Sequence, residues 1–275
     1  MPTDPADSTS RHGSTYGFLL RPKWIAFHLL VIALVVAMIN LAFWQLRRLD
    51  ERRQFNAAVR ANISQPVVEL DDVRADLADT AKVEWRPVEV SGTYVPDHQF
   101  LVVNRSQNGD TGRNIVDALQ IGDGSLLLVN RGFVPIADDP PPVPTGSVTV
   151  VGRLRASEQR QTGQSADANV TGLTEIRRID IGLLAGQFDD TVLPMYVDQL
   201  ESTPPDSKSL EQIVAPNTDD EGPHLSYTVQ WFIFSACALA GWVLAVRRSL
   251  ATRSGKPARK RKSAYIPIAD DESVK

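Results

Sequence analysis

WIAFHLLVIALVVAMINLAFWQL, residues 24–46, and YTVQWFIFSACALAGWVLAV, residues 227–246, decide the architecture. Inside the first run only His28 and Asn40 are strongly polar, and the second is interrupted chiefly by Gln230. At about 1.5 Å per residue each run, as a helix, covers a hydrocarbon core of roughly 30 Å. A cleaved signal peptide is the alternative for the first. That run is longer than the apolar region of such peptides, and RRLDERR (47–53) stands where a small-residue cleavage site would be, so an uncleaved anchor is expected. The alternative for the second is a buried core helix. The basic block RRSLATRSGKPARKRK (247–262) directly after it instead marks a stop-transfer span.

Orientation follows from that block, because Lys and Arg near span ends stay on the cytoplasmic side. Arg247, Arg248, Arg253, Lys256, Arg259, Lys260, Arg261 and Lys262 put the C-terminus inside. Two spans then put the N-terminus inside as well. The expected organisation is a cytoplasmic tail (1–23), a first span (24–46), an extracytoplasmic domain (47–223), a second span (224–246) and a basic cytoplasmic tail (247–275), in the cell membrane. Arg47, Arg48, Arg52 and Arg53 oppose this, but Asp50 and Glu51 are interleaved with them and the rule weakens for long loops. Beside a membrane the basic tail reads as a contact to anionic lipid of the bilayer, and not as a nucleic-acid patch.

The 275 residues carry 29 Lys and Arg against 33 Asp and Glu, unevenly placed. Residues 247–275 hold nine basic and three acidic side chains, and residues 1–24 three and two, which leaves 25–246 near −11. Nucleic acid is excluded as a partner of that stretch, since phosphate contacts need a basic surface. The single cysteine, Cys237, lies within the second apolar run. Intramolecular disulfides, zinc ribbons, iron–sulfur clusters, CxxC chemistry and CxxCH haem attachment are excluded with it.

Between the spans, short β-branched or alternating runs separated by turn residues predict a mainly antiparallel β domain. The expected strands are 83–95, 99–104, 114–121, 125–134, 148–156 and 193–200. SQNGDTG (106–112), GDGS (122–125) and ADDPPPVPTG (137–146) supply the breaks. Helices are expected over 49–63, continuing the first span, and near 180–188, while 201–223 reads as a polar lead-in to the second span. The fold class is therefore two transmembrane α-helices bracketing a mainly antiparallel β (α+β) extracytoplasmic domain.

Catalytic motifs are sparse, and no enzyme is expected. His98, in the turn PDHQ, is the one histidine in the domain, and no GxSxG, Walker A or GxGxxG accompanies it. The pairs Asp138/Asp139, Asp189/Asp190 and Asp219/Asp220 lack calcium-loop spacing. Ionisable residues in or beside a span are the informative ones, which points to His28 and His224. About 25 Å of membrane depth separates them, so they cannot ligate one iron together. Trp44 and Gln45 lie at about the depth of His224. Tyr227 and Trp231 follow His224 at i+3 and i+7, sharing its helix face. Imidazole beside two aromatic rings suits a haem ligand; an ordinary interfacial aromatic belt has the same composition.

Several pieces together resemble the surfeit-locus-type assembly factors of cytochrome c oxidase in their bacterial form. They are WQLRR (44–48), GTYVPDHQFLVVNRSQNGDTGRNIVDAL (92–119), LLLVNRGFVP (126–135), VGRLR (151–155) and PHLSYTVQWF (223–232). Phe133, Pro223 and Gln230 depart from the family pattern. The resemblance implies a non-catalytic factor that holds haem a and passes it to the oxidase catalytic subunit, with haem a synthase as a further candidate partner. It implies His224 as axial ligand to the haem iron and Tyr227 and Trp231 as pocket walls. Arg105 and Arg131 are candidates for the haem propionates, against the alternative of pairing within the fold. Gly92, Gly112 and Gly132 are read as backbone-geometry residues beside tight turns. The competing functions are a scaffold that clamps oxidase subunits without haem, and a tethered hydrolase built on His98.

Overall fold

A computed structural model describes residues 16–167, 170 and 172–253. His12, the basic residues from Lys256 onward and the C-terminal SAYIPIADDESVK lie outside the described residues. The chain divides into two compact units, one built from residues up to Glu51 and from Gly222 onward, the other from Arg52–Glu221.

Helix α1 runs unbroken over Pro22–Ile63, so the helix expected over 49–63 does continue the first apolar run. Pro22 opens it, where a missing N–H costs nothing. By length and composition, α1 and the last helix are each able to cross a membrane.

In the Arg52–Glu221 unit, β1 (Val68–Glu69) leads into the short helices α2 (Leu70–Val73) and α3 (Thr80–Val83). Then come β2 (Pro87–Gln107), β3 (Asp110–Ile121), β4 (Leu126–Pro135) and β5 (Ser147–Ala156). A two-residue strand β6 (Glu175–Ile176), helix α4 (Ile181–Leu184) and β7 (Val192–Thr203) complete it. Strand β2 pairs with β3, β3 with β4, β4 with β7, β7 with β5, and β5 returns to β2. These five strands close a ring, which removes the free edges of an open sheet. Within it only the β4–β7 pairing is parallel, so the mainly antiparallel expectation holds.

Two expected strands, 83–95 and 99–104, are one. Residues 83–86 are not strand: α3 ends at Val83 and Trp85 takes a positive φ of 72°. The break at 96–98 is a shift in the β2–β3 register between Tyr94 and Gln99, with Asp97 at φ 63°. An inserted bulge bends a strand without ending it, so β2 pairs with β5 over Pro87–Thr93 and with β3 on both sides of the bulge, from Gly92 to Gln107. Of SQNGDTG only Asn108 and Gly109 form the turn, since Gln107 already pairs with Asp110. Their φ values of 54° and 96° are those a two-residue hairpin needs.

Side chains of alternate parity pack on the two faces. Leu119, Leu127, Val129, Met195 and Val197 join one core, which Leu70, Val73 and Leu77 also enter. Val116, Ala118, Leu128 and Tyr196 join a second core with Ile181 and Leu184 of α4. Strand β4 is therefore buried on both faces, which is why LLLV reads as a continuous apolar run and not as an alternation. The helix expected near 180–188 is α4 and the 3-10 turn after it, with the Asp180 carboxylate accepting from the Leu183 N–H.

The lead-in 201–223 is held closely. Phe133 and Glu211 exchange backbone bonds, and Arg153 Nη2 donates to the Ile213 carbonyl. Arg52, Asn56 and Arg60 of α1 donate to the carbonyls of Asn217, Thr218 and Asp220, and Arg53 grips Glu221 through both guanidinium arms. The Arg53 hydrogen bonds, with its charge, hold the Glu221 carboxyl below its usual range. Arginines that complicate the charge reading of RRLDERR thus have structural work inside this unit. Gly92 and Gly112 are needed for backbone geometry, as expected, through close approach of the neighbouring strand: a Cβ at Gly112 would lie 2.2 Å from the Val134 carbonyl oxygen, and one at Gly92 2.3 Å from that of Gln120. Close strand approach excludes a side chain at both.

Candidate functional site

Helix α5 spans His224–Arg253 and belongs with the first part of α1 to one unit. The two helices touch at both ends: Gln45 meets His224 and Phe43 packs edge-on against Phe232, while His28 meets Trp242. Gln45 and His224 are thus level, as the depth count from the sequence placed them. From residue 28 to residue 45 is about 25 Å of helix, so the two histidines lie at opposite ends of the pair.

Their tautomers differ for a chemical reason. The indole N–H of Trp242 can only donate, so at 2.9 Å it requires a lone pair on His28 Nδ1 and leaves the ring proton on Nε2. At His224 the neighbour is the amide oxygen of Gln45, 2.8 Å from Nδ1, which can only accept. In the neutral ring Nδ1 therefore carries the proton and Nε2 the lone pair. A histidine that binds metal has this arrangement, with its second nitrogen donating to a carbonyl.

The residue beside Nε2 carries no side chain. Gly222 has φ 73°, and a Cβ built there would lie 3.4 Å from both Nε2 and Cδ2 of His224. Any side chain at 222 would start to cover the nitrogen. Half-buried His224 sits at the head of α5, with Tyr227 at 44 % exposure and half-buried Trp231 on the same helix face. Trp231 is braced by an edge contact to Phe234 at 6.0 Å. Imidazole nitrogen and flat apolar side chains form a donor set that fits a haem.

Arg105 and Arg131 belong to the Arg52–Glu221 unit. Arg131 is sealed, with a side-chain exposure of 0 %. It binds Asp206 through Nε and Nη2 at 2.8 and 2.6 Å, Asp117 through Nη1 at 2.9 Å, and the Pro142 carbonyl through Nη2 at 3.0 Å. All three guanidinium nitrogens are engaged within the Arg52–Glu221 unit, so pairing within the fold, and not a propionate, describes Arg131. Burial pushes the Asp117 carboxyl up, and Arg131 only partly offsets it. At Asp206 burial acts upward too, but the two-pronged bond and charge of Arg131, with the Ser207 N–H, hold it below its usual range. Burial raises the Tyr94 hydroxyl, whose proton bonds Gln199. Arg105 is more open, 29 % exposed and paired with Glu158 at 2.6 Å. His98 Nδ1 donates to the Pro96 carbonyl oxygen at 3.0 Å, and the ring lies 4.9 Å from that of Phe188, a local packing role.

The sequence does not name the partners of the two histidines on α1 and α5. Gln45 lies at the right depth, but its side-chain bond depends on helix rotation, and Trp242 carries no periodic signal that would tie it to His28.

Residues 32–236 match the SURF1 family. A SURF1-like protein of Mycobacterium tuberculosis is 30% identical over 231 residues, covering 82% of this chain and 83% of its own. A SURF1-like protein of Monosiga brevicollis is 30% identical over 242 residues, covering 82% and 89%. A third, from Rickettsia felis, is 27% identical over 108 residues, covering 38% and 45%. The matched region runs from α1 through the barrel into the His224 helix, and the chain belongs to the SURF1 family.

Proposed function

We propose that this chain is a membrane-anchored assembly factor for haem-copper cytochrome c oxidase, which holds haem a through His224 and aids its insertion into the catalytic subunit. Family membership supports the assembly role. The observation that carries the haem reading is the 2.8 Å bond between His224 Nδ1 and Gln45 Oε1, because it leaves Nε2 free to ligate. Haem a, when bound, would supply a Lewis-acidic iron, and His224 would be the residue that holds it. Gln45 fixes the ring and its tautomer, Gly222 leaves Nε2 uncovered, and Tyr227 and Trp231 offer apolar faces that exclude water. No catalytic residue is assigned. The two helices span the plasma membrane with both termini cytoplasmic and the barrel outside, a direction supported by Arg247, Arg248 and the basic block they begin. Haem a synthase is the candidate donor.

Absorbance of haem a and oxidase activity in membranes test this, comparing a strain lacking the protein with the same strain carrying wild type or His224→Ala. Wild type should restore both and His224→Ala should not. Normal haem a and activity in the deleted strain would remove the assembly role, and full restoration by His224→Ala would favour a clamp acting without haem.

A further inference from the structure

At the opposite end of the helix pair from His224, a groove of about 470 Å³ is lined by Trp24, Ala245, Arg248, Ser249, Thr252 and Arg253. We propose that it holds the phosphate of an anionic phospholipid, with the guanidinium groups of Arg248 and Arg253 as the anion's partners. The inference rests on reading the two helices as membrane spans and is independent of the haem reading.

Charge carries the first part of the argument. Residues 16–49 and 222–253 contain no Asp or Glu, while Arg21, Lys23, Arg247, Arg248 and Arg253 gather at this end. None of the five has a carboxylate partner among the described residues. Five like charges at one helix-pair end repel one another, and an anion between them relieves that. Guanidinium is the side chain that grips phosphate oxygens two at a time. The Arg253 guanidinium is also positioned, lying 4.4 Å from the centroid of the Phe18 ring. Thr252 donates its hydroxyl to the Arg248 carbonyl, which keeps its oxygen available only as an acceptor, so Ser249 and the Trp24 indole N–H are the neutral donors in the lining.

Apolar surface selects a lipid over a free phosphate. Trp24 is packed edge-on between Phe18 and Phe27, at 5.1 and 5.6 Å, and forms a rigid wall for an acyl chain. Leu244, one turn from Arg248 on the same face of α5, is 63 % exposed, and Ile25 beside Trp24 is 43 % exposed. A basic pocket between spans with apolar walls below it matches a headgroup with its chains, whereas an inorganic ion would use the guanidinium groups alone.

Tryptophan quenching by brominated lipid reads the site directly. The full chain is placed in nanodiscs of phosphatidylcholine containing either brominated phosphatidylglycerol or brominated phosphatidylcholine at equal fraction. Wild type should be quenched more strongly by the anionic lipid, the excess should vanish in Trp24→Phe, and in the double variant R248Q/R253Q half-quenching should need about tenfold more anionic lipid. Helicity by circular dichroism confirms that the variants are folded. Equal quenching by both lipids would overturn the proposal, as would an anionic preference unchanged in R248Q/R253Q, which would assign it to the basic residues from Lys256 onward. Loss of the preference on adding inorganic phosphate at matched ionic strength would replace the lipid by a free anion. Absence of quenching by either lipid would instead remove the span reading itself.

Discussion

Replacing Arg131 by leucine tests the buried ion cluster of the barrel. The guanidinium makes three bonds to carboxylates, at 2.6, 2.8 and 2.9 Å, and one to a carbonyl. Asp117 and Asp206, with side chains 0 % and 8 % exposed, would be left facing each other without a cation. Removing one partner of a buried pair costs about 3–5 kcal/mol, a large share of the roughly 5–15 kcal/mol that holds a domain folded. The loss should depend on pH. In the wild type, the lowered Asp206 contributes stability that is full above its unfolded pKa and is lost as pH falls through its folded pKa. The raised Asp117 acts in the opposite sense: its folded form binds a proton more readily than the unfolded chain, so it costs stability as pH rises through its folded value. In Arg131→Leu both carboxyls are raised, so the variant recovers part of its deficit on acidification. Urea unfolding of the full chain in detergent, followed by Trp85 fluorescence, should show a loss of about 3–5 kcal/mol near about pH 8 and a smaller one near about pH 5. The variant Arg131→Leu/Asp117→Leu/Asp206→Leu, which removes all three charges, should regain most of it. A loss below about 1 kcal/mol, or one that grows on acidification, would refute the reasoning.

Other outcomes follow from single contacts. Gln45→Leu should lower the haem recovered with the purified chain while leaving its folding unchanged, and Gln45→Glu, which keeps an acceptor at His224 Nδ1, should retain it; equal haem in all three would show that the Gln45 bond does not matter. Gly112→Ala drives a methyl into the Val134 carbonyl and should destabilise the barrel by about 3 kcal/mol in the same urea assay, with a change under about 1 kcal/mol counting against the close approach. Trp242→Phe removes the donor to His28 and should cost about 1–2 kcal/mol in a detergent unfolding titration without altering haem content, since His28 Nε2 carries a proton and is no ligand.

What the sequence made legible and what it hid divide along physical lines. The two long apolar helices were readable because an uninterrupted apolar run of that length carries its own signal, and α1 and α5 occupy those runs. Strands β3, β5 and β7 were readable from β-branched or alternating runs and turn chemistry, and β4 from its continuous apolar run, to within a few residues at their ends. The bulge at 96–98 looked like a turn because Pro-Asp carries the same local signal whether a chain reverses or only bends. Ring closure was hidden, since the β2–β5 and parallel β4–β7 pairings join segments far apart in sequence and depend on strand order. Helices α2 and α3 are about one turn each, too short for a 3.6-residue period to register. At the site, helical spacing grouped His224, Tyr227 and Trp231, but could not supply Gln45 as the partner of Nδ1. Arg131 was ambiguous because its two carboxylates sit 14 and 75 residues away, and only folding brings them to it.

Haem ligation by His224 is the central claim, and the visible spectrum of the purified full chain tests it most directly. The chain would be made in a cell that synthesises haem a and its haem quantified per protein beside His224→Ala and His28→Ala. The account predicts haem a with wild type and with His28→Ala, and its loss from His224→Ala at unchanged helicity. Haem a carried equally by His224→Ala, or absent from wild type purified under the same conditions, would contradict it.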